Sequence, residues 1–141
     1  AVFERVEQEV AESVVPAGDG SAVSSLRAFI EWCIPTEPGD LEWERMRFAF
    51  LERSDHDPRM QALSDLIDDR LRVILTVRLE PLAPASEIPG LVDLIRAVTN
   101  GAILSVVEHP EVWSEERQLA VIDRILTAAG LVGGSSERPA S

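Results

Sequence analysis

The chain has 141 residues, 45% hydrophobic and 27% charged, which is enough for one globular domain burying roughly 68–70% of its unfolded surface and excludes a disordered chain. Its 13 basic residues are all arginine and face 25 acidic ones, for a net charge of −12. Such a field repels phosphate and excludes nucleic-acid binding by counterion release from these residues.

The elements follow in chain order. Valines at positions 2, 6, 10 and 14 with Phe3, opposed by Glu4, Glu7, Glu9 and Glu12, predict a first amphipathic helix over Val2 to Val15, stopped before Pro16. A turn over Ala17 to Gly20 leads to Ser21 as the cap of a second helix bearing Val23, Leu26, Phe29, Ile30 and Cys33, closed by Pro35. A third helix opens at Asp40 and runs through Arg53. The turn Ser54 to Pro58 precedes a fourth, from about Arg59 to Leu79, which ends before Pro81. A fifth starts near Ser86, tolerates Pro89 in its first turn and ends at His109 before Pro110. Ser114, Glu115 and Glu116 open a sixth, with Leu119, Ile122, Ile125, Leu126 and Ala129 as its apolar face and Gly130 as a left-handed cap. The polar stretch from Gly133 to Ser141 is expected to be a disordered tail. No segment alternates with period two, so the fold class is all-α with six helices.

Catalytic, cofactor and metal sites are not expected, because the parts are missing. His56 and His109 each stand beside a loop proline without partners at ligand spacing. Cys33, the single cysteine, lies on an apolar helix face and cannot form an intramolecular disulfide. The adjacent Asp68 and Asp69 diverge by about 100° on a helix, poor geometry for paired acid–base work. No basic segment followed by an apolar core opens the chain, so it reads as cytosolic. The apolar stretch Ile88 to Val107 contains Asp93 and Arg96, each costing ~2.5–3.5 kcal/mol at mid-membrane, and reads as a buried helix of a soluble protein. The helical pattern starts at once from Ala1, with no initiator methionine, so the chain is expected to be a fragment lacking an N-terminal part.

Three features do not fit a plain bundle. On the fourth helix Leu63, Leu66, Val73, Ile74 and Val77 share a face with Arg70 in its middle, and a buried guanidinium needs an anion. Either an internal carboxylate supplies it, or Arg70 lines a cavity and meets an anionic or carbonyl-bearing ligand. On the third helix Trp43, Met46 and Phe50 form one apolar face and Leu41, Phe48 and Leu51 another, with Arg47 projecting between them and Trp32 close by, so the helix reads as sandwiched. This concentration of rings is either core packing or the wall of a ligand pocket. The fifth helix is apolar nearly all round and carries Ala97, Gly101, Ala102 and Ser105. A mid-helix glycine costs ~1 kcal/mol and calls for close helix approach. With the sixth helix it offers more apolar surface than one small core uses, which predicts a partner.

These residues carry a resemblance. The segment LVDLIRAVTNGAILSVVEHPEVWSEERQLAVIDRILTAAGL, Leu91 to Leu131, resembles the last two helices of tetracycline-repressor (TetR) family regulators, with Asn100-Gly101 at the centre of an apolar helix, an acidic loop with proline and an amphipathic helix ending in glycine. LRAFIEWCIPTEPGDLEWERMRFAFLERSDHDPRM, Leu26 to Met60, is similar to a stretch found in one large subgroup. The resemblance implies an effector-binding and dimerisation domain over residues 1–132, with 1–15 as a connector helix from a helix-turn-helix domain absent from this chain. It implies homodimerisation through a four-helix bundle made by the last two helices of each subunit, here Leu94, Ala97, Val98, Gly101, Ala102, Ser105, Val121, Ile122, Ile125 and Ala129. A small hydrophobic effector would meet Trp32, Trp43, Arg47, Phe50, Leu66, Arg70 and Ile74, and operator DNA would be reached only through the missing domain. Some relatives in the subgroup sense quaternary ammonium compounds, which rings suit; Arg47 and Arg70 argue against a cation wherever they face the cavity. The expected partners are a second copy, an effector and no membrane. A constitutive helical dimer without a ligand is the competing function.

Overall fold

Proline and capping residues set where each helix of this chain starts and stops. In the computed structural model, Gln8 and residues 21–54 and 56–132 are described. The predicted connector helix, apart from Gln8, and the predicted tail lie outside these residues. The described residues form five helices and no strand: α1 (Ser21–Cys33), α2 (Pro38–Ser54), α3 (Pro58–Leu79), α4 (Ile88–Glu108) and α5 (Glu115–Ala128).

α1 already includes Ser21, so its start lies one residue before the sequence expectation. α2 begins at Pro38 rather than Asp40, because proline presets the first helical turn and Asp40 reaches back to accept from the Glu37 N–H at 3.2 Å. Asp57 caps α3 by accepting from the Arg59 N–H at 2.9 Å, again with proline following. α4 starts at Ile88, two residues beyond Ser86, and Glu87 provides no side-chain cap. Ser114 caps α5 as expected, accepting from the Arg117 N–H at 3.2 Å. At the far end Gly130 has φ of +72°, and the Leu131 and Gly130 N–H groups donate to the carbonyls of Leu126 and Thr127. This closure returns Leu131 to the core, where only 7% of it stays exposed.

α3 packs against α1, α2 and α4, α4 against α2 and α5, and α1 against α5. The shared core holds Leu26, Phe29 and Ile30 of α1, Ile74, Leu75 and Leu79 of α3, Val92, Ile95 and Ile103 of α4, and Ile122 and Leu126 of α5. Arg27 of α1 reaches Asp123 of α5 at 2.7 Å, and Arg78 of α3 donates to the Ser25 carbonyl oxygen at 2.6 Å, tying α1 at its rim.

The structure corrects three readings of helix faces. α2 is not sandwiched: Met46 is 57% exposed and Trp43 37%, while Phe48 packs against the core. The α3 stripe around Arg70 is not one buried face, since Leu63, Leu66 and Val73 are exposed and only Ile74 is in the core. α4 is long and apolar enough by length and composition to cross a membrane, yet it is the core helix along one side only. Its other side shows Leu94, Ala97, Gly101 and Leu104 to solvent.

Candidate functional site

The shorter α1 ends at Cys33, and the chain turns through Ile34 to Glu37 before α2 doubles back along α3. Between this turn, α2, the middle of α3 and α4 lies a cavity of about 850 Å³. That is within the ~300–1,000 Å³ range of small-molecule sites. Three rings wall it: Trp32 from the end of α1, and Trp43 and Phe50 from α2. Trp32 is held in place by stacking on the core ring of Phe29, with centroids 5.7 Å apart and planes 19° from parallel.

Two arginines also line it, and both are already engaged. Arg47 Nε donates to the buried Glu44 carboxylate at 2.6 Å, and its guanidinium lies over the Phe48 ring at 4.9 Å. Arg96, from the apolar α4, donates through Nε and Nη2 to Asp68 Oδ1 at 3.1 and 2.8 Å. The second oxygen of Asp68 accepts from Arg72 Nε at 2.8 Å, and Arg72 continues to Asp93 at 2.7 Å. A chain of four charged side chains therefore crosses twice between α3 and α4, and two of them, Asp68 and Arg96, line the cavity. Burial pushes the Asp68 carboxyl pKa up, but the hydrogen bonds from Arg72 and Arg96 and their charges outweigh it and hold the group below the usual aspartate range. Hydrogen bonds to Asp93 and Asp68 raise that of Arg72.

Of the residues expected at the ligand, Trp32, Trp43, Arg47 and Phe50 do line the cavity. Leu66, Arg70 and Ile74 do not. Ile74 is fully enclosed in the core, Leu66 is exposed, and Arg70 is half-buried away from the cavity wall. The guanidinium expected to receive an anion is thus not at the site. Asp68 and Arg96 are the ion-paired couple among the cavity residues that sequence reasoning missed. The available signal was Arg96 itself, a lone cation within an apolar helix, the same anomaly as Arg70 on its neighbour.

The residues expected at a dimer interface divide in the same way. Leu94, Ala97 and Gly101 are exposed, and Val98, Ala102, Ser105, Val121, Ile125 and Ala129 are partly covered. Ile122 is only 4% exposed and belongs to the protomer's own core beside Leu126, which removes it from a partner's reach. Among the described residues, no atom beyond the surrounding turns of its own helix lies within 4 Å of a Cβ placed on Gly101, so the close approach expected at this glycine is not made by them.

Asp68→Asn is expected to lower stability by about 1–3 kcal/mol at pH 7, since it removes the charge that holds the mostly buried Arg96. A carboxyl held low in the folded state contributes stability that is present above the unfolded value of about 3.9 and is lost as pH falls through the folded one. The wild-type chain should therefore lose stability below about pH 4 more steeply than Asp68→Asn, as read by urea denaturation at pH 7 and pH 3. Parallel pH profiles would remove this role for Asp68.

The family described as BetI-type transcriptional repressor, C-terminal, matches residues 22–130. No curated protein and no solved structure gave a match. The match begins with α1 and ends at Gly130, so it spans all five helices and every wall of the cavity.

Proposed function

Because this chain belongs to the BetI-type C-terminal domains of the TetR family of transcriptional regulators, we propose that it is the effector-binding and dimerising part of a bacterial repressor working in the cytoplasm. The observation that carries this reading is the cavity of about 850 Å³ walled by Trp32, Trp43 and Phe50. A small, largely hydrophobic effector fits such walls, with the ion pairs of Arg47 and Arg96 as polar groups among the lining residues.

The regulatory step is a shift between two arrangements of the helices. An effector that fits one arrangement better lowers operator affinity by its differential affinity for the two, and by no more. Operator DNA is contacted by a helix-turn-helix domain outside these 141 residues, in keeping with the net charge of −12 on the chain itself. Dimerisation uses the exposed strip of α4, Leu94, Ala97, Gly101 and Leu104, together with the outer side of α5. The room beside Gly101 lets a partner's helix approach closely.

The test is a titration of the purified chain with a panel of compact apolar compounds of both charges and of none, following tryptophan emission and melting temperature. A binder at a hundredfold excess over its dissociation constant should add ~2.7 kcal/mol of stability and change the emission of Trp32 or Trp43. Trp43→Ala should abolish the response with little change in the melting temperature of the free chain, since this side chain is partly exposed. A panel-wide absence of any response would favour the constitutive helical dimer without a ligand.

A further inference from the structure

α4 stands between the cavity and the strip assigned to the dimer. Arg96, Asn100 and Ile103 line the cavity, while Leu94, Ala97, Gly101 and Leu104 are exposed or open beside it. At about 100° per residue the two sets lie roughly 110° apart around the helix axis. Whatever fixes the attitude of this one helix therefore fixes both surfaces.

Toward its own protomer α4 buries aliphatic side chains, Val92, Ile95, Ile103 and Val106, whose packing is non-directional and lets a helix turn or slide by small amounts. Directional ties are fewer. Among the described residues, the side-chain hydrogen bonds from α4 to another helix are those of Arg96 with Asp68 and of Asp93 with Arg72. The two anchors lie about one turn apart on each helix, and Arg72 also holds Asp68, so together they oppose both rotation and sliding. The Arg96 side chain is only 12% exposed. Left without its carboxylate, a guanidinium this buried must reach water or another acceptor, and α4 turns with it. A turn of ~20° carries side-chain tips ~2 Å sideways on a helix ~11 Å across. Shifts of that size reset packed subunit interfaces, and a two-fold interface repeats the misfit in both copies.

We infer that Asp68 is a positioning residue for the dimer: through Arg96, and with Arg72 holding Asp93, it sets the attitude at which α4 presents Leu94, Ala97, Gly101 and Leu104 to a second copy. The dimer thereby depends on an ion pair that lines the cavity, although neither Asp68 nor Arg72 belongs to the strip. This rests on reading the α4 strip as the dimer face.

The chain contains no lysine, so an amine-reactive dye labels its N-terminus alone. Fluorescence-detected sedimentation of the labelled chain, from about 1 nM to 100 µM total protein, then gives the dimer dissociation constant. Asp68→Asn should raise that constant about tenfold, and Arg72→Gln, which leaves the Asp68–Arg96 pair in place, about threefold. Asp68→Glu keeps the charge and should recover most of the loss. Net charge predicts the opposite direction for Asp68→Asn, since removing a negative charge from a chain of net −12 eases repulsion between copies. Raising salt from about 50 to 500 mM screens the half-exposed network and should narrow the gap between the parent and Asp68→Asn. Phe29→Leu, in the core of α1, is the control for a general loss of stability and should keep the constant within about twofold. All variants are compared where circular dichroism shows the helix content of the parent. Where Asp68→Asn does not reach it, Arg72→Gln decides, because its ion pairs are half-exposed. If both variants keep the parent's constant within about twofold, the positioning role falls and the dimer stands. If Phe29→Leu weakens the dimer as much as Asp68→Asn does, the effect is one of general stability and the role falls as well. A parent chain that stays monomeric at about 100 µM removes the dimer reading and this inference together.

Discussion

Leu104→Glu is expected to turn a dimeric chain into a monomer. Leu104 is 42% exposed in one protomer, on the same strip of α4 as the 40% exposed Leu94 and the open Gly101, so the new carboxylate costs the isolated fold little. A two-fold interface uses the same patch on both subunits, and one substitution therefore places two charges in it. A charge buried without a partner costs about 3–5 kcal/mol, and two of them raise the dimer dissociation constant by on the order of a thousandfold or more. Ala102 and Ile125 are poorer sites for this test, because both are partly covered by their own protomer and a Glu there would also disturb the fold. Sedimentation at about 10 µM, near or above the dissociation constants of specific dimers, reads the outcome directly. A monomer from the unaltered chain would sink the proposed dimer, and a dimer from Leu104→Glu would move the interface off this strip.

Much of the helical order was legible because breakers punctuate it. Pro35, the Asp57-Pro58 pair, Pro81, Pro110, Ser114 and Gly130 each mark a boundary found within one to three residues of where they place it. Five of the six expected helices are among the described residues, and their all-helical character is what the lack of period-two alternation implies. What periodicity could not supply was the depth of each face. Leu66, Arg70 and Ile74 follow one another at intervals of four and share one side of α3, yet they run from an exposed leucine to a fully enclosed isoleucine. α3 is 22 residues long, or about 33 Å, and outreaches the 13-residue α1 that covers one end of it. A helical wheel projects that length away.

The cavity was half legible for a related reason. Tryptophan and phenylalanine are scarce here, with three and four copies, so finding Trp32, Trp43, Phe48 and Phe50 in two consecutive helices was itself a signal. Three of those four line the cavity, and Phe48 belongs to the core side of α2. The Arg96–Asp68 pair joins residues 28 apart on different helices, and no local spacing encodes such a pairing. In the sequence the nearest charged neighbour of Asp68 is Asp69, with which it shares no face. The rule that a cation in an apolar helix needs an anion applied to Arg96 as fully as to Arg70.

Phe29→Ala is the substitution expected to damage the fold most. The ring is 2% exposed, stacks on Trp32 at 5.7 Å and carries the Arg78 guanidinium 5.1 Å above its face. Truncating such a phenylalanine removes its transfer energy and leaves a void, together about 3–5 kcal/mol. For a domain of this size that lowers the melting temperature by about 10–20 °C. Trp32 would also lose the ring that holds it, so its emission should shift toward that of solvated indole and the cavity should lose one wall. Phe29→Leu keeps most of the volume and should cost nearer 1–2 kcal/mol, with a smaller emission change. Comparison with Trp43→Ala then separates fold from site: that side chain walls the cavity while 37% exposed, so its loss should weaken ligand binding and leave the melting temperature nearly unchanged. A fall of less than about 3 °C for Phe29→Ala would mean that α1 does not pack through this ring onto α3 and the cavity wall as described.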